Sequence, residues 1–367
     1  MFTLRSLAVS VAVLAAACAP AASVTPTSSS TRAQAIIGGA ACEGRFPSAL
    51  AIILDATLDP GTGVEDVTRL MCTGTLIAPD VVLTAAHCTD PKLLTGGRDT
   101  VSRADYWVSF ASDLGALAGA QTPKVPLPDD AVSVRELVPQ QDFDINGCCA
   151  PGLGDVKDIA LLFLDAPITS VTPAVVLQKD EVDQLVVGMP VGVAGWGKQT
   201  ADASSPAGTV GIEMCGDTTL NELGDDEMQI GGDATTTRKC EGDSGGPSYV
   251  DVQGEHAIAS RVIGVTSHQY DAGGCDKGGI DTRVDAYFDW MDQQMKNRCD
   301  NGARVWCDAR GVVPASFYDA AAPAKTKPKL GDDTGPGCAS APPSPLFASL
   351  FVLALVGRKR ARIRRPR

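Results

Sequence analysis

The sequence has few histidines and few aromatic side chains, and neither of its two terminal apolar runs is long enough to cross a membrane. Of its 367 residues, 3 are histidine and 5% are aromatic, whereas glycine (38) and proline (24) are frequent. Three histidines and the lack of any Cys-x-x-Cys pair disfavour a zinc cluster, so we expect no metal and no cofactor. The glycine and proline content favours many short elements joined by turns over long helices.

The charge is acidic and unevenly distributed. The formal net charge is −13, and the last ten residues carry seven positive charges, so the rest of the chain is more acidic still. Because phosphate contacts supply most of the affinity for nucleic acids, so acidic a body is not expected to bind them. A cationic C-terminus on an acidic body is typical of a targeting signal or a membrane flank.

The first 35 residues are interpreted as a signal peptide and propeptide. One arginine precedes an apolar run from Leu7 to Ala17, and small residues follow it. This arrangement is typical of a secretory signal, and the run is too short for a stable membrane span. Cys18 fits two interpretations: the cysteine of a lipoprotein cleavage site, or a cysteine within an ordinary small-residue cleavage region.

The last 30 residues, 338–367, are interpreted as a sorting or membrane-anchor tail. Cys338 precedes an apolar stretch from Leu346 to Val356 and then the cationic end. This resembles the bacterial C-terminal sorting signals typified by myxobacterial surface proteins, in which the cysteine is where the tail is processed and anchored. A plain single-span anchor is the alternative. Both interpretations predict export to a bacterial cell surface, outer membrane or medium. Residues 299–337 are interpreted as a Cys-containing extension and disordered spacer.

The body of the chain, residues 36–298, shows the pattern of an all-β protein. Short apolar or β-branched segments are separated by turns. The predicted strands are 48–54, 72–77, 81–84, 105–111, 159–164, 190–195, 247–252 and 261–267. One segment, 285–297, has helical spacing of its apolar residues.

Three short strings carry residues suited to acyl transfer. LTAAHC contains His87, KDIALLFL places Asp158 at the start of an apolar strand, and CEGDSGGP contains Ser244. A serine hydroxyl is a weak nucleophile until an imidazole accepts its proton, and a buried carboxylate holds that imidazole in the required tautomer. Glycines beside the serine let backbone N–H groups approach a developing oxyanion. The three strings together predict a Ser-His-Asp triad, although each alone also fits a packed histidine, a turn aspartate or a flexible loop.

Over residues 36–297 the chain resembles the trypsin/chymotrypsin family of serine peptidases. TAAHC, GDSGGP, IIGG at 36–39 and VAGWGK at 193–198 carry the resemblance. It implies two perpendicular six-stranded antiparallel β-barrels with a C-terminal helix, and endopeptidase activity on polypeptides. It also implies an oxyanion hole formed by the N–H groups of Gly242 and Ser244.

The resemblance assigns further contacts. Cleavage before Ile36 is expected to free an amine that pairs with Asp243. Ser267 is expected to bind Asp158 and to lie on the strand that binds the substrate backbone. The residue before Ile36 is Ala35 rather than a basic residue, and Ala33-Gln34-Ala35 is a small-x-small site. We therefore expect activation by an enzyme that prefers small residues.

Ten cysteines remain when Cys18 and Cys338 are assigned to the targeting ends, an even number that suggests disulfides in an exported protein. The resemblance implies three pairs: Cys72–Cys88, Cys240–Cys275 and Cys42–Cys215. Four cysteines are left, and three pairings of them are open. The favoured pairing joins Cys148 and Cys149 to Cys299 and Cys307, with a local Cys299–Cys307 loop as the second choice.

The expected specificity departs from that of trypsin-like enzymes. Arg238 occupies the position where such enzymes have an aspartate that selects arginine or lysine, so cleavage after basic residues is not expected. Gln269 narrows one wall of the expected pocket, and Gly279 keeps the opposite wall small. A pair between Arg238 and Asp281 predicts a neutral pocket for small or polar side chains, the favoured hypothesis. An unpaired Arg238 favours acidic side chains, and an Arg238 directed to solvent recognises nothing.

Other functions are also compatible with parts of this sequence. A catalytically inactive family member acting as a binding module is the main alternative, and an esterase using the same triad is a second. A purely structural surface protein leaves the three strings unexplained. We expect a monomer whose partners are polypeptide substrates, with membrane attachment through the C-terminal tail.

Overall fold

Short apolar segments rich in β-branched residues form most of the strands. The computed structural model describes residues 36–59, 61, 63–94, 100–118, 124–144, 151–200, 210–253, 258–271 and 274–312. Within these ranges the strands are β1 (Ala40–Ala41), β2 (Ala49–Asp59), β3 (Glu65–Ala78), β4 (Val81–Thr84), β5 (Thr100–Ser109), β6 (Val132–Pro139), β7 (Ala160–Leu164), β8 (Pro190–Gly195), β9 (Met214–Leu223), β10 (Glu227–Ile230), β11 (Pro247–Gln253), β12 (Ile258–Asp271) and β13 (Gly274–Arg283). The helices are α1 (Pro91–Leu94) and α2 (Phe288–Asp300), and 3-10 turns span Ala86–Thr89, Gly115–Leu117 and Val182–Gln184.

The first barrel is a closed antiparallel sheet of six strands in the order β2-β3-β4-β7-β6-β5. Inward-facing aliphatic side chains fill it, with Leu50, Leu76, Leu83 and Leu161 all fully buried. Strand β4 pairs with β7 in a register that sets Thr84 opposite Ala160. Closure satisfies the backbone hydrogen bonds of both edge strands, and the register aligns the ends of β4 and β7.

The second barrel has the strand order β9-β10-β13-β12-β11-β8, and β8 also pairs with β9 to close it. Strand β1 adds to the outside of β9. Leu220, Met228, Ile230 and Ile263 form its fully buried core. Two closed six-stranded antiparallel barrels followed by a C-terminal helix confirm the predicted fold class.

Helix α2 packs against the first barrel. Met291 and Met295 are fully buried in that barrel's core cluster. The Arg298 guanidinium binds the Glu136 carboxylate at 2.7 and 2.8 Å and lies 4.6 Å from the Phe163 ring centre. The helix begins and ends three residues later than the predicted segment 285–297.

The segment after α2 corrects the favoured cysteine pairing. Cys299 pairs with Cys307, so neither is bonded to Cys148 or Cys149. The physical reason is that the helix ends at Asp300 and the chain turns back at once. Asp80 holds this turn, because its carboxylate binds the Arg304 guanidinium at 2.6 Å and accepts the N–H groups of Val305 and Trp306. The folded part therefore continues through residues 299–312.

The other three predicted pairs are joined in the structure: Cys42–Cys215, Cys72–Cys88 and Cys240–Cys275. Both targeting segments lie outside the described residues, as do Cys18, Cys148, Cys149 and Cys338. The chain divides into the units Met1–Ala322 and Pro323–Arg367, and every described residue belongs to the first. No helix in the described part of the chain is long and apolar enough to cross a membrane.

Candidate active site

His87 and Asp158 meet because β4 and β7 are neighbours. His87 lies in the 3-10 turn that follows β4, and Asp158 lies two residues before β7. The Nδ1 atom of His87 is 2.7 Å from Asp158 Oδ2, and the His87 backbone N–H donates to Asp158 Oδ1 at 2.8 Å. Two contacts to one carboxylate fix the position of the imidazole and leave Nε2 on the opposite side of the ring.

Burial and the opposite charge act against each other on this pair. Asp158 is fully buried, and the His87 side chain is 16% exposed. Burial alone raises the pKa of Asp158, but the charge of His87 and the hydrogen bonds from His87 and Ser267 lower it below its usual value. Burial likewise lowers the pKa of His87, and the charge and hydrogen bond of Asp158 more than offset this, so the net pKa is raised. The arrangement favours an ionised Asp158 that stabilises an imidazolium.

The second barrel contributes two further groups to Asp158. The hydroxyl of Ser267, on β12, donates to Asp158 Oδ2 at 2.6 Å. The hydroxyl of Thr282, on β13, donates to the backbone carbonyl of Asp158 at 3.0 Å. Asp158 is therefore held at the boundary between the barrels by both of them. The sequence interpretation included Ser267 and missed Thr282, which lies in a polar strand without a recognisable motif.

Ser244 lies in a tight turn that packs against the strands leading to His87. The N–H of Thr73 donates to the Ser244 carbonyl at 2.8 Å, and the N–H of Gly245 donates to the Thr266 carbonyl at 2.7 Å. Gly245 has a φ of +77°, and a Cβ there would lie 2.0 Å from the Thr84 hydroxyl oxygen. Only glycine fits this approach, so the GDSGG string is required by packing as well as by backbone conformation.

Ser244 Oγ and His87 Nε2 are not hydrogen-bonded to each other, although both residues are among those described. The contact recorded for Nε2 is Cys88 Sγ at 3.6 Å. The hydrogen bond between a nucleophilic serine and its histidine often shortens only when substrate binds. The structure thus joins His87 to Asp158 directly and brings Ser244 into the same region through backbone contacts.

The turn before Ser244 leaves donors for an anion. Gly242 has a φ of +95°, and a Cβ there would lie 2.7 Å from the Gly197 Cα. The Thr73 hydroxyl donates to the Gly242 carbonyl at 3.1 Å, which fixes the orientation of this turn. Within the described residues, neither the N–H of Gly242 nor that of Ser244 donates to a protein acceptor. Two uncommitted N–H groups beside a serine are suited to binding an oxyanion.

Asp243 is fully buried directly before Ser244. Its two carboxylate oxygens accept the N–H groups of Gly197 and Cys240, both at 2.9 Å. Burial raises the pKa of this carboxyl to about 7, although those two hydrogen bonds and the charge of Lys239 lower it. Ile36 is also fully buried, in the core of the second barrel. The chain is uncleaved, so Ile36 contributes a peptide nitrogen rather than a charged amine.

A cavity of about 310 Å³ opens beside Ser244. Of the predicted pocket residues, Ser267, Gln269 and Gly279 line it. Lys239 lines it as well, a residue that the sequence interpretation missed because no motif marks it.

The expected pair between Arg238 and Asp281 is not formed. Asp281 binds Lys239 instead, with the Nζ atom of Lys239 at 2.6 and 2.8 Å from the two carboxylate oxygens.

Arg238 does not line the cavity, because its guanidinium is bound elsewhere. It binds the carbonyls of Thr236 and Asp233 at 2.9 and 3.2 Å and the Asp276 carboxylate at 3.4 Å. Arg238 forms a bridge with Ile37, and neighbouring side chains of an extended segment point to opposite sides. Arg238 is also only 5% exposed, so it is not directed to solvent either.

Among the described residues, one group of three side chains has ligand atoms close enough together to hold a metal ion. It consists of Cys72, His87 and Cys88. The two sulfurs form a disulfide with each other, so they are not available as thiolate ligands.

Comparison with known proteins gives one family and several relatives. The family model described as Trypsin matches residues 56–291. The chain is similar to the CLIP domain-containing serine protease B15 of Anopheles gambiae, with 28% identity over an alignment of 246 residues and 61% of each chain covered. It is also similar to mouse kallikrein-11, with 27% identity over 245 residues, 63% of this chain and 75% of the relative. The match to the first of these covers less than two thirds of that protein's length.

Among solved structures, the chain is similar to neuropsin, a serine protease expressed in the limbic system of mouse brain. The TM-score is 0.48 and the identity 20%, with 71% of this chain and 100% of the other covered.

Proposed function

The chain belongs to the trypsin family of serine proteases, and on that premise we propose that it is a serine endopeptidase that uses Ser244, His87 and Asp158 as its catalytic triad. The observation that carries the proposal is the pair of contacts between His87 and the buried Asp158, at 2.7 and 2.8 Å, beside the glycine turn of Ser244.

Each group has one task in the proposed reaction. Ser244 Oγ attacks the carbonyl carbon of a peptide bond while His87 Nε2 accepts its proton. Asp158 stabilises the resulting imidazolium and does not take the proton itself. The N–H groups of Gly242 and Ser244 bind the oxyanion of the tetrahedral intermediate. His87 then protonates the leaving amine as the C–N bond breaks. A water molecule next attacks the acyl carbonyl while giving a proton to His87, and His87 returns that proton to Ser244 Oγ as the ester bond breaks and the carboxylic acid is released.

Activation is proposed to follow cleavage between Ala35 and Ile36. The new amine of Ile36 would pair with Asp243, whose buried carboxylate has only backbone donors among its hydrogen bonds. Mass determination of the N-terminus of the active protein tests this step. A mature start other than Ile36 contradicts it.

The remaining parts of the proposal concern location and substrate. We propose that the protein is exported as a monomer and tethered to a bacterial surface through residues 338–367, after removal of the signal in residues 1–35. Disulfides in the described domain support an extracellular location. Its substrates are polypeptides, cleaved after residues other than lysine and arginine.

The decisive experiment compares the wild-type protein with Ser244→Ala. A serine-directed phosphonate is expected to label Ser244 of the cleaved wild-type protein, and peptidase activity is expected to disappear in the variant. Full peptidase activity in Ser244→Ala would overturn the catalytic assignment. A folded, cleaved wild-type protein with no activity and no labelling would leave the inactive binding module as the function.

A further inference from the structure

Lys239 forms the floor of the cavity beside Ser244, and its ammonium makes a buried ion pair with Asp281, which is not itself part of the cavity lining. The Lys239 and Asp281 side chains are 1% and 0% exposed, and the Nζ atom of Lys239 lies within 2.8 Å of both carboxylate oxygens. The third contact of Nζ is the Thr266 hydroxyl at 2.7 Å, which in turn donates to the Gly246 carbonyl at 2.9 Å. All three N–H groups of the ammonium are therefore used inside the protein.

The pair is neutral as a unit. Taking Lys239 out of water lowers its pKa, and the charge and hydrogen bonds of Asp281 act in the opposite direction. A substrate cation placed here would meet the Lys239 ammonium in a desolvated site. A substrate anion would have to displace Asp281 from Lys239 and leave a buried carboxylate unpaired, which is strongly unfavourable.

The walls and rim add no uncompensated charge. Gln269 contributes a neutral amide and Gly279 contributes no side chain. At the rim, the Glu241 carboxylate pairs with Lys198, and the Asp271 carboxylate pairs with Lys277. The charged groups that line the cavity in the described part of the chain are thus each paired.

We propose that the Lys239–Asp281 pair determines the cleavage specificity by making the pocket select an uncharged side chain at P1, the residue whose carbonyl is attacked. This inference rests on the proposed peptidase function and assigns specificity to residues that lie behind the reacting groups. It replaces Arg238 as the determinant, because the Arg238 guanidinium is bound elsewhere.

The wild-type protein supplies the first test. Peptide substrates that differ only at P1 are compared by kcat/KM. We expect substrates with alanine, threonine or glutamine to exceed those with arginine or glutamate by about tenfold or more. Dominant cleavage after a basic or an acidic residue overturns the proposal.

Opposite single substitutions supply the second test. Lys239→Ser leaves the Asp281 carboxylate at the floor, and cleavage after arginine and lysine is expected to rise about 100-fold relative to cleavage after alanine. Asp281→Asn leaves the Lys239 ammonium, and cleavage after glutamate and aspartate is expected to rise instead. An unchanged P1 profile in both variants overturns the proposal.

Two matched controls separate charge from packing. The double variant Lys239→Ser/Asp281→Asn removes both charges and is expected to keep the wild-type preference for uncharged side chains. Arg238→Gln removes the cation that directly precedes Lys239 in the sequence, and the P1 profile of this variant is expected to be unchanged. A profile that shifts in Arg238→Gln but not in Lys239→Ser contradicts the assignment.

Labelling of Ser244 with the phosphonate gives the fraction of competent protein in each sample, so it separates two failures. Wild-type protein that labels fully but cleaves after arginine refutes the specificity proposal and leaves the peptidase function standing. Wild-type protein that neither labels nor cleaves refutes both. If neither single variant labels, the wild-type profile decides the question, and dominant cleavage after a charged residue overturns the proposal.

Discussion

Ser267 and Asp158 belong to different barrels, and a 2.6 Å hydrogen bond joins the Ser267 hydroxyl to Asp158 Oδ2. The same oxygen lies 2.7 Å from His87 Nδ1. One carboxylate therefore contacts both strand β12 of the second barrel and the histidine of the first.

Asp158→Asn is expected to lower kcat by about 10⁴-fold with little change in folding. The amide is similar in shape but stabilises neither the imidazolium nor the required tautomer of His87. Steady-state kinetics with a peptide amide measure the effect. Ser267→Ala, which removes one hydrogen bond and leaves the charge, should cost only about tenfold. Equal losses in the two variants would contradict the role given to the Asp158 charge.

The acid limb of kcat/KM against pH is expected to have its midpoint above 6.5, the usual pKa of histidine. Burial lowers the pKa of His87, but the charge and hydrogen bond of Asp158 raise this pKa by a larger amount, so the pKa lies above 6.5. Since the neutral imidazole is the base, activity is absent below this pKa and appears as the pH rises through it. His268 lines the cavity, and its Nδ1 atom lies 3.0 Å from Ser267 Oγ. His268→Asn should leave the midpoint in place. A midpoint that shifts in His268→Asn would mean that His268, and not His87, determines the acid limb.

Gly242→Ala is expected to reduce kcat by about 10²-fold or more, as loss of an oxyanion donor does. The new Cβ would lie 2.7 Å from the Gly197 Cα and displace the Gly242 N–H. Gly188→Ala is the matched control, because Gly188 has a similar φ of +91° and no atom within 4 Å of a new Cβ. Comparable losses of activity in both variants would mean that backbone strain, and not the oxyanion turn, is responsible.

Arg304→Gln is expected to lower the free energy of unfolding by about 3 kcal/mol, because it leaves the buried Asp80 carboxylate without its cation. Both side chains are 0% exposed, whereas those of the Arg310–Asp300 pair nearby are 60% and 56% exposed. Arg310→Gln should therefore change stability by less than about 1 kcal/mol. Urea unfolding of the two variants makes the comparison, and equal effects would contradict the role given to burial.

The uncleaved chain is expected to lose stability as the pH rises from about 4 to about 7. Burial raises the pKa of Asp243 from 3.8 to about 7. The folded state then binds a proton in this window that the unfolded state has released, so the contribution is fully present below 3.8 and is lost as the pH passes the folded pKa. Melting temperatures of the uncleaved Ser244→Ala protein between about pH 4 and pH 7 measure this contribution to stability.

Two comparisons isolate the contribution of Asp243. Asp243→Asn in the uncleaved chain should remove this part of the pH dependence. Protein that begins at Ile36 should also lose it, because the new ammonium would favour the ionised carboxylate. Identical pH dependence in cleaved and uncleaved protein would argue against an ion pair between Ile36 and Asp243.

The strands that could be predicted from sequence are those with a strong apolar signal. The segments 159–164 and 190–195 match β7 and β8 within one residue, because β7 is buried along its whole length and β8 along all but its first residue. The sequence did not predict strands β1, β6, β9, β10 and β13. The sequence of β13, GCDKGGIDTR, has four charged residues and three glycines, and its pairing with β12 rather than its composition makes it a strand.

The sequence by itself determined the fold class and predicted the chemistry that we propose for the site. His87, Asp158 and Ser244 stand in strings that acyl transfer requires, and the glycines around Ser244 are needed at positions where any side chain would collide with backbone. Only the tertiary structure decided the partners of Asp281, Arg238 and Cys299. Lys239 rather than Arg238 binds Asp281, and Cys299 binds Cys307, because the direction of a side chain and the return of a turn depend on contacts between segments that are distant in sequence.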